Sequence, residues 1–69
     1  MGKHSQNFDW VRQNYGLNVG KGMRVRIGKD GGRLAGKEGV VTGADNGIWV
    51  LVDGEKYDFH WHPKDIEVV

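Results

Sequence analysis

The chain has no cysteine and a single proline, Pro63. The first absence excludes a disulfide framework and any thiolate metal site, so the core is unstapled and a cytoplasmic setting is expected. No apolar run approaches the roughly 20 residues needed to span a bilayer, and no membrane association is expected. The first residues, MGKHSQN, lack the apolar segment of a secretory signal, and Gln6 stands where a myristoylation pattern wants Ser or Thr. With 69 residues there is room for one modest core, and a monomer is expected.

Charge is scarce only on average. The formal net charge is +1, yet residues 21–37 carry Lys21, Arg24, Arg26, Lys29, Arg33 and Lys37 against Asp30 alone. From Glu38 onward the balance reverses: Glu38, Asp45, Asp53, Glu55, Asp58, Asp65 and Glu67 face only Lys56 and Lys64. A basic first half is followed by an acidic second half.

Periodicity supplies the elements. Ser5 and Asn7 are helix-capping types, and Phe8, Val11 and Tyr15 recur at helical spacing before Gly16, which predicts a short helix over residues 7–15. So short a helix must dock that stripe on something larger, which leaves Trp10 off the packed face. Residues 16–22 read as a wrapping loop. Met23, Val25 and Ile27 alternate with Arg24 and Arg26 in a first strand, so the two guanidinium groups point to solvent. A glycine-rich loop follows, then a second strand opening at Val40. Asn46-Gly47 predicts a tight hairpin into a third strand, residues 48–52. Asp53-Gly54 predicts another, into a strand carrying Tyr57, Phe59 and Trp61 inward. Pro63 ends that strand, Pro63-Lys64-Asp65 suits one helical turn, and Ile66, Val68 and Val69 close the chain as a fifth strand.

This order predicts a mainly β fold, a small five-stranded SH3-like barrel over residues 23–69 preceded by a short helix and linker over residues 1–22. An OB-like barrel is the alternative if the first loop and the link before the fifth strand are arranged differently.

Val25 and Ile27, the loop Gly28-Lys29-Asp30-Gly31-Gly32, the stretch Gly36-Lys37-Glu38-Gly39-Val40 and the returning Ile48-Trp49-Val50-Leu51-Val52 together resemble the KOW motif. That SH3-like barrel element occurs in a large-subunit ribosomal protein and in transcription elongation factors of the NusG class, so the resemblance implies contact with RNA or a nucleoprotein. The acidic turn Asp53-Gly54-Glu55 departs from the more basic ribosomal pattern. The whole layout also resembles small uncharacterised proteins of tailed bacteriophages and prophages, through Tyr15-Gly16, Gly22-Met23-Arg24-Val25, residues 39–47, and His62-Pro63 leading to Ile66-Glu67-Val68.

Two readings of the basic stretch stand side by side. Arg24, Arg26, Lys29, Arg33 and Lys37 on one surface suit phosphates, with Trp49 as a stacking platform if it lies near the arginines. About four phosphate contacts would give a log–log salt slope near −3 to −4. The other reading is that these cations pair with the acidic half of the same molecule. The rival function is a protein-interaction module, phage-encoded and acting on a host or virion protein, with Trp10 or Trp49 as anchor. Aromatics among the arginines favour nucleic acid; aromatics on the acidic side or by the helix favour a protein.

Other chemistry has thinner support. Asp58, His60 and His62 alternate on one strand face at a spacing that permits a metal, but without a fixed fourth ligand they read as a polar face and no metal is expected. Gly2-Lys3-His4 would bind copper only with Met1 removed, as any chain with histidine there would. Ser5 and Thr42 have no base beside them and the carboxylates are spread through turns, so no enzyme and no cofactor are expected.

Overall fold

A computed structural model describes residues 8–69. The caps expected at Ser5 and Asn7 and the Gly2-Lys3-His4 tripeptide lie outside those residues. Helix α1 (Phe8–Tyr15) is followed by strands β1 (Arg24–Ile27), β2 (Glu38–Ala44), β3 (Ile48–Val52), β4 (Phe59–Trp61) and β5 (Ile66–Val68). Single 3₁₀ turns, Gly32–Leu34 and Pro63–Asp65, precede β2 and β5.

All five strands form one antiparallel sheet in the order β4-β3-β2-β1-β5. The register explains the core. Val25 lies opposite Gly39, Val41 opposite Val50, and Ile27 opposite Ile66, so the apolar members of each alternation share the inner face. Val25, Ile27, Val41, Ile48, Val50 and Val52 are fully buried there. Each such side chain contributes about 1.5–3 kcal/mol.

The expected barrel is not closed by hydrogen bonds. Strands β4 and β5 are the two edges of an open sheet, each only three residues long. The inner face is covered instead by other parts of the chain. Val11 of α1, Val19 of the wrapping loop and Leu34 of the first 3₁₀ turn join the sheet residues in one cluster, with Phe8, Leu17 and Trp61 packed against it. Segments 8–22 and 23–69 therefore share one core. Helix α1 rests on β2 and the Pro63–Asp65 turn.

The two glycine turns differ from expectation in instructive ways. Asn46-Gly47 connects β2 to β3 through three residues, 45–47, and Gly47 is not in the left-handed region. Its requirement is room: a Cβ there would lie 2.6 Å from His60 Nε2 and 2.7 Å from the Trp61 carbonyl oxygen. At Gly54 the demand is conformational, since φ is +89° and the Glu55 N–H donates to the Val52 carbonyl at 3.0 Å, the signature of a type II turn. That turn does not lead straight into a strand. Because β4 starts only at Phe59, Tyr57 falls in the connection and is 74% exposed rather than buried. Phe59, on an edge strand, is also exposed, so of the three aromatics expected in the core only Trp61 packs there.

Candidate binding surfaces

The outer face of the sheet carries the charges. Alternation along β1 turns Arg24 and Arg26 outward, and the register sets Arg26 between Glu38 on β2 and Glu67 on β5. Arg24 grips Asp53 with both arms, Nη2 to Oδ2 at 2.6 Å and Nη1 to Oδ1 at 3.2 Å, and reaches Glu38 Oε1 at 3.4 Å. Arg26 Nη2 donates to Glu38 Oε2 at 3.4 Å, and its Nη1 lies 3.9 Å from Glu67 Oε1. The result is a ladder of alternating sign, Glu67–Arg26–Glu38–Arg24–Asp53, crossing the sheet. Hydrogen bonding from Arg24 holds the Asp53 carboxyl below the usual carboxylate range, and the same contact holds Arg24 more firmly charged.

Arg33, in the first 3₁₀ turn, repeats the pattern. Its Nη1 and Nη2 donate to Glu55 Oε2 and Oε1 at 3.3 and 3.2 Å. Those bonds lower the Glu55 pKa; desolvation opposes them, and the nearby charges of Arg33 and Lys37 add to the lowering. Lys29 and Lys37 are exposed beside this turn and make no ion pair among the described residues. Thus the three expected arginines are engaged by the acidic half of the chain, and two expected lysines are not.

Trp49 does not join them. Val40, opposite Arg24, faces Leu51 across β3, so Leu51 occupies the arginine row while Trp49 lies opposite Gly43, toward the hairpin turn. There its Nε1–H donates to Asp45 Oδ2 at 3.1 Å, and its half-buried ring meets the His60 ring at 4.9 Å. Asp45 Oδ1 in turn accepts from the Gly47 N–H at 3.0 Å and lies 2.8 Å from His60 Nε2. Partial burial would raise the Asp45 pKa, but the bonds from His60, Trp49 and Gly47 outweigh it and the net direction is down.

The Asp-x-His-x-His set does not converge. Asp58 Oδ2 is held by the Thr42 hydroxyl at 2.6 Å, His60 by Asp45, and His62 Nδ1 accepts from the Lys64 N–H at 3.1 Å. Among the described residues no three His, Asp or Glu side chains are placed to share a metal ion. No pocket opens among them, and no helix is long and apolar enough to cross a membrane.

A second surface was less legible in the sequence. Tyr15 belongs to the stripe expected to pack, yet at the last position of α1 it is 37% exposed. Its ring meets Trp10 edge-on at 5.9 Å and His62 at 5.3 Å. Trp10 is exposed to the same degree. The contact between α1 and the Pro63–Asp65 turn is what brings His62 there, a long-range juxtaposition that no local pattern encodes.

No protein-family model, no curated protein and no solved structure matches the chain. The likeness to KOW elements and to phage proteins therefore rests on the motif residues alone.

Proposed function

We propose that this chain is a small non-enzymatic binding module that docks a protein partner through the aromatic surface of α1 and the adjoining 3₁₀ turn, with Trp10 and Tyr15 as anchors and His62 beside them. One observation carries the reading: two exposed aromatics, Trp10 and Tyr15, stack together on the helix against His62, while the arginines that would serve phosphate are already held by carboxylates. Trp and Tyr are the residue types that dominate binding energy at protein interfaces, because each offers a large rigid surface at low entropic cost. A fitting partner offers an apolar pocket rimmed by acceptors for the indole N–H and the phenol hydroxyl. A phage origin, with a host or virion protein as partner, is the setting that the layout resemblance suggests.

A second reading keeps nucleic acid, RNA or DNA, as ligand, and the unpaired ammonium groups of Lys29 and Lys37 beside Arg33 favour it. Two such contacts give a shallow log–log salt slope, about −1.5 to −2, rather than the steeper one that all five cations would give. Titrating the protein with RNA and with a partner candidate captured from native lysate tests both. Loss of the captured protein on Trp10→Ala and Tyr15→Ala, with the fold intact by thermal melting, supports the protein reading. Saturable RNA binding that these substitutions leave unchanged overturns it.

A further inference from the structure

Two further exposed aromatics stand away from the helix. Tyr57 is 74% exposed, the highest value for a large apolar side chain among the described residues, and Phe59 of β4 is 38% exposed. Two contacts fix where they lie. Glu55 is held by Arg33 at 3.2 and 3.3 Å, and Trp61 covers Gly31, where a Cβ would stand 3.3 Å from the indole Cζ3. Residues 55–61 therefore run along the flank of the glycine-rich loop, pinned at both ends, with Tyr57 and Phe59 between the pins. Alternation separates the faces: Asp58 and His60 turn to Thr42 and Asp45, so Phe59 shares the side of Trp61 and the loop.

Charge on this flank is positive and unspent. Lys29, Lys37 and Lys56 are exposed and make no ion pair among the described residues. Lys37 lies close enough to Glu55 to help lower its pKa, which places that ammonium group here. Within residues 28–37 and 55–61, Glu55 is taken up by Arg33 and Asp58 by Thr42, so Asp30 is the carboxylate left to offset the lysines. An open sheet edge adjoins them. Strand β4 pairs with β3 on one side and with no strand on the other, and such an edge offers main-chain N–H and C=O groups to a further strand.

We propose that the free edge of β4, with Tyr57, Phe59 and the ammonium groups of Lys29, Lys37 and Lys56, docks an extended acidic peptide segment of a partner protein as a sixth strand. Main-chain bonds hold the added strand, its apolar side chains lie against Tyr57 and Phe59, and its carboxylates answer the lysines. RNA is the competing ligand for those lysines, but it makes no use of a strand edge. The inference does not rest on the α1 surface.

Amide NMR of the whole chain, titrated with a short capped peptide of alternating glutamate and phenylalanine, tests this. The same peptide with lysine for glutamate, and a short RNA, are the comparisons. The acidic peptide should shift the amides of Tyr57, Phe59 and the 29–37 loop and slow hydrogen exchange in β4, while the lysine peptide binds about tenfold more weakly or worse. With the sheet signals intact, Tyr57→Ser should weaken the complex about five- to thirtyfold, and Lys29→Gln with Lys37→Gln about three- to tenfold. Trp10→Ala should leave it unchanged, which tells loss of this contact from loss of the α1 partner. No binding of the acidic peptide at about 1 mM would overturn the proposal. So would equal binding of the two peptides, binding that leaves β4 exchange untouched, or RNA shifting Tyr57 and Phe59 where the acidic peptide does not.

Discussion

The outer face of the sheet and the end where α1 meets the Pro63–Asp65 turn are both surfaces, but only one has its chemistry settled within the molecule. Across the sheet, Arg24 and Arg26 are bracketed by Asp53, Glu38 and Glu67, and each guanidinium finds its carboxylate on a neighbouring strand or turn. At the helix end, Trp10 and Tyr15 keep more than a third of their surface exposed, although Tyr15 has the His62 ring against it. The contrast teaches that a cluster of one charge in sequence is not a patch of that charge in space. An antiparallel sheet sets distant segments side by side, and here it sets the acidic half on the basic half.

Breaking the ladder is the strongest way to break this contrast. Asp53→Asn, Glu38→Gln and Glu55→Gln together should free Arg24 and Arg33, leave Arg26 with Glu67 alone, and create polyanion binding with a log–log salt slope of about −2 to −3, read by fluorescence anisotropy on a short RNA. A triple variant no better at binding than the parent would mean that the carboxylates do not mask the arginines. At the other surface, Trp10→Ala and Tyr15→Ala should each weaken the partner complex by about 2 kcal/mol or more, roughly 30-fold in Kd by calorimetry.

Smaller effects sharpen the account inside the fold. Gly47→Ala should cost about 1–3 kcal/mol in a urea titration, because the added methyl meets the His60 ring and the backbone of Trp61. An unchanged midpoint would show that β4 yields freely. Smallest of all is the acid limb. Asp53 and Glu55 have lowered pKa values, so their pairing stabilises the fold above the unfolded carboxylate range and that contribution disappears as pH falls through the folded values. The double variant Arg24→Gln and Arg33→Gln should therefore show a shallower fall in Tm between neutral and acidic pH than the parent. An equal fall would assign acid sensitivity to other groups.

Much of the fold was legible because it rests on local signals. Alternation located β1 and β3, the third strand residue for residue, and Pro63 with its neighbours marked the second 3₁₀ turn. Less was legible wherever a residue's role depends on a distant segment. Tyr57 alternates perfectly with Phe59 and Trp61, yet after the turn at Gly54 the chain bends at Lys56 and Tyr57, and pairing with β3 begins only at Phe59. The 3₁₀ turn at Gly32–Leu34, which buries Leu34, has no periodic signature in so glycine-rich a loop. Closure failed as an expectation for a related reason: edge strands of three residues leave the core to be covered by α1 and the wrapping loop.

The candidate site divides the same way. Outward projection of Arg24 and Arg26 follows from period-two alternation, and the structure agrees. Their neutralisation follows from register, which sequence does not print. Asn46-Gly47 was a correct signal for a hairpin but for a different physical reason, close approach of His60 rather than left-handed backbone.

The arginine face is occupied from within. That occupation is tested most directly by following the backbone amides and arginine side-chain Nε–H signals of the whole protein during titration with a short mixed-sequence RNA and the matching DNA, at low and then physiological salt. Arg24, Arg26 and Arg33 should keep their signals at physiological salt, with at most weak, salt-abolished shifts at Lys29 and Lys37. Saturable shifts at all three arginines under those conditions would contradict it and return the sheet face to nucleic acid.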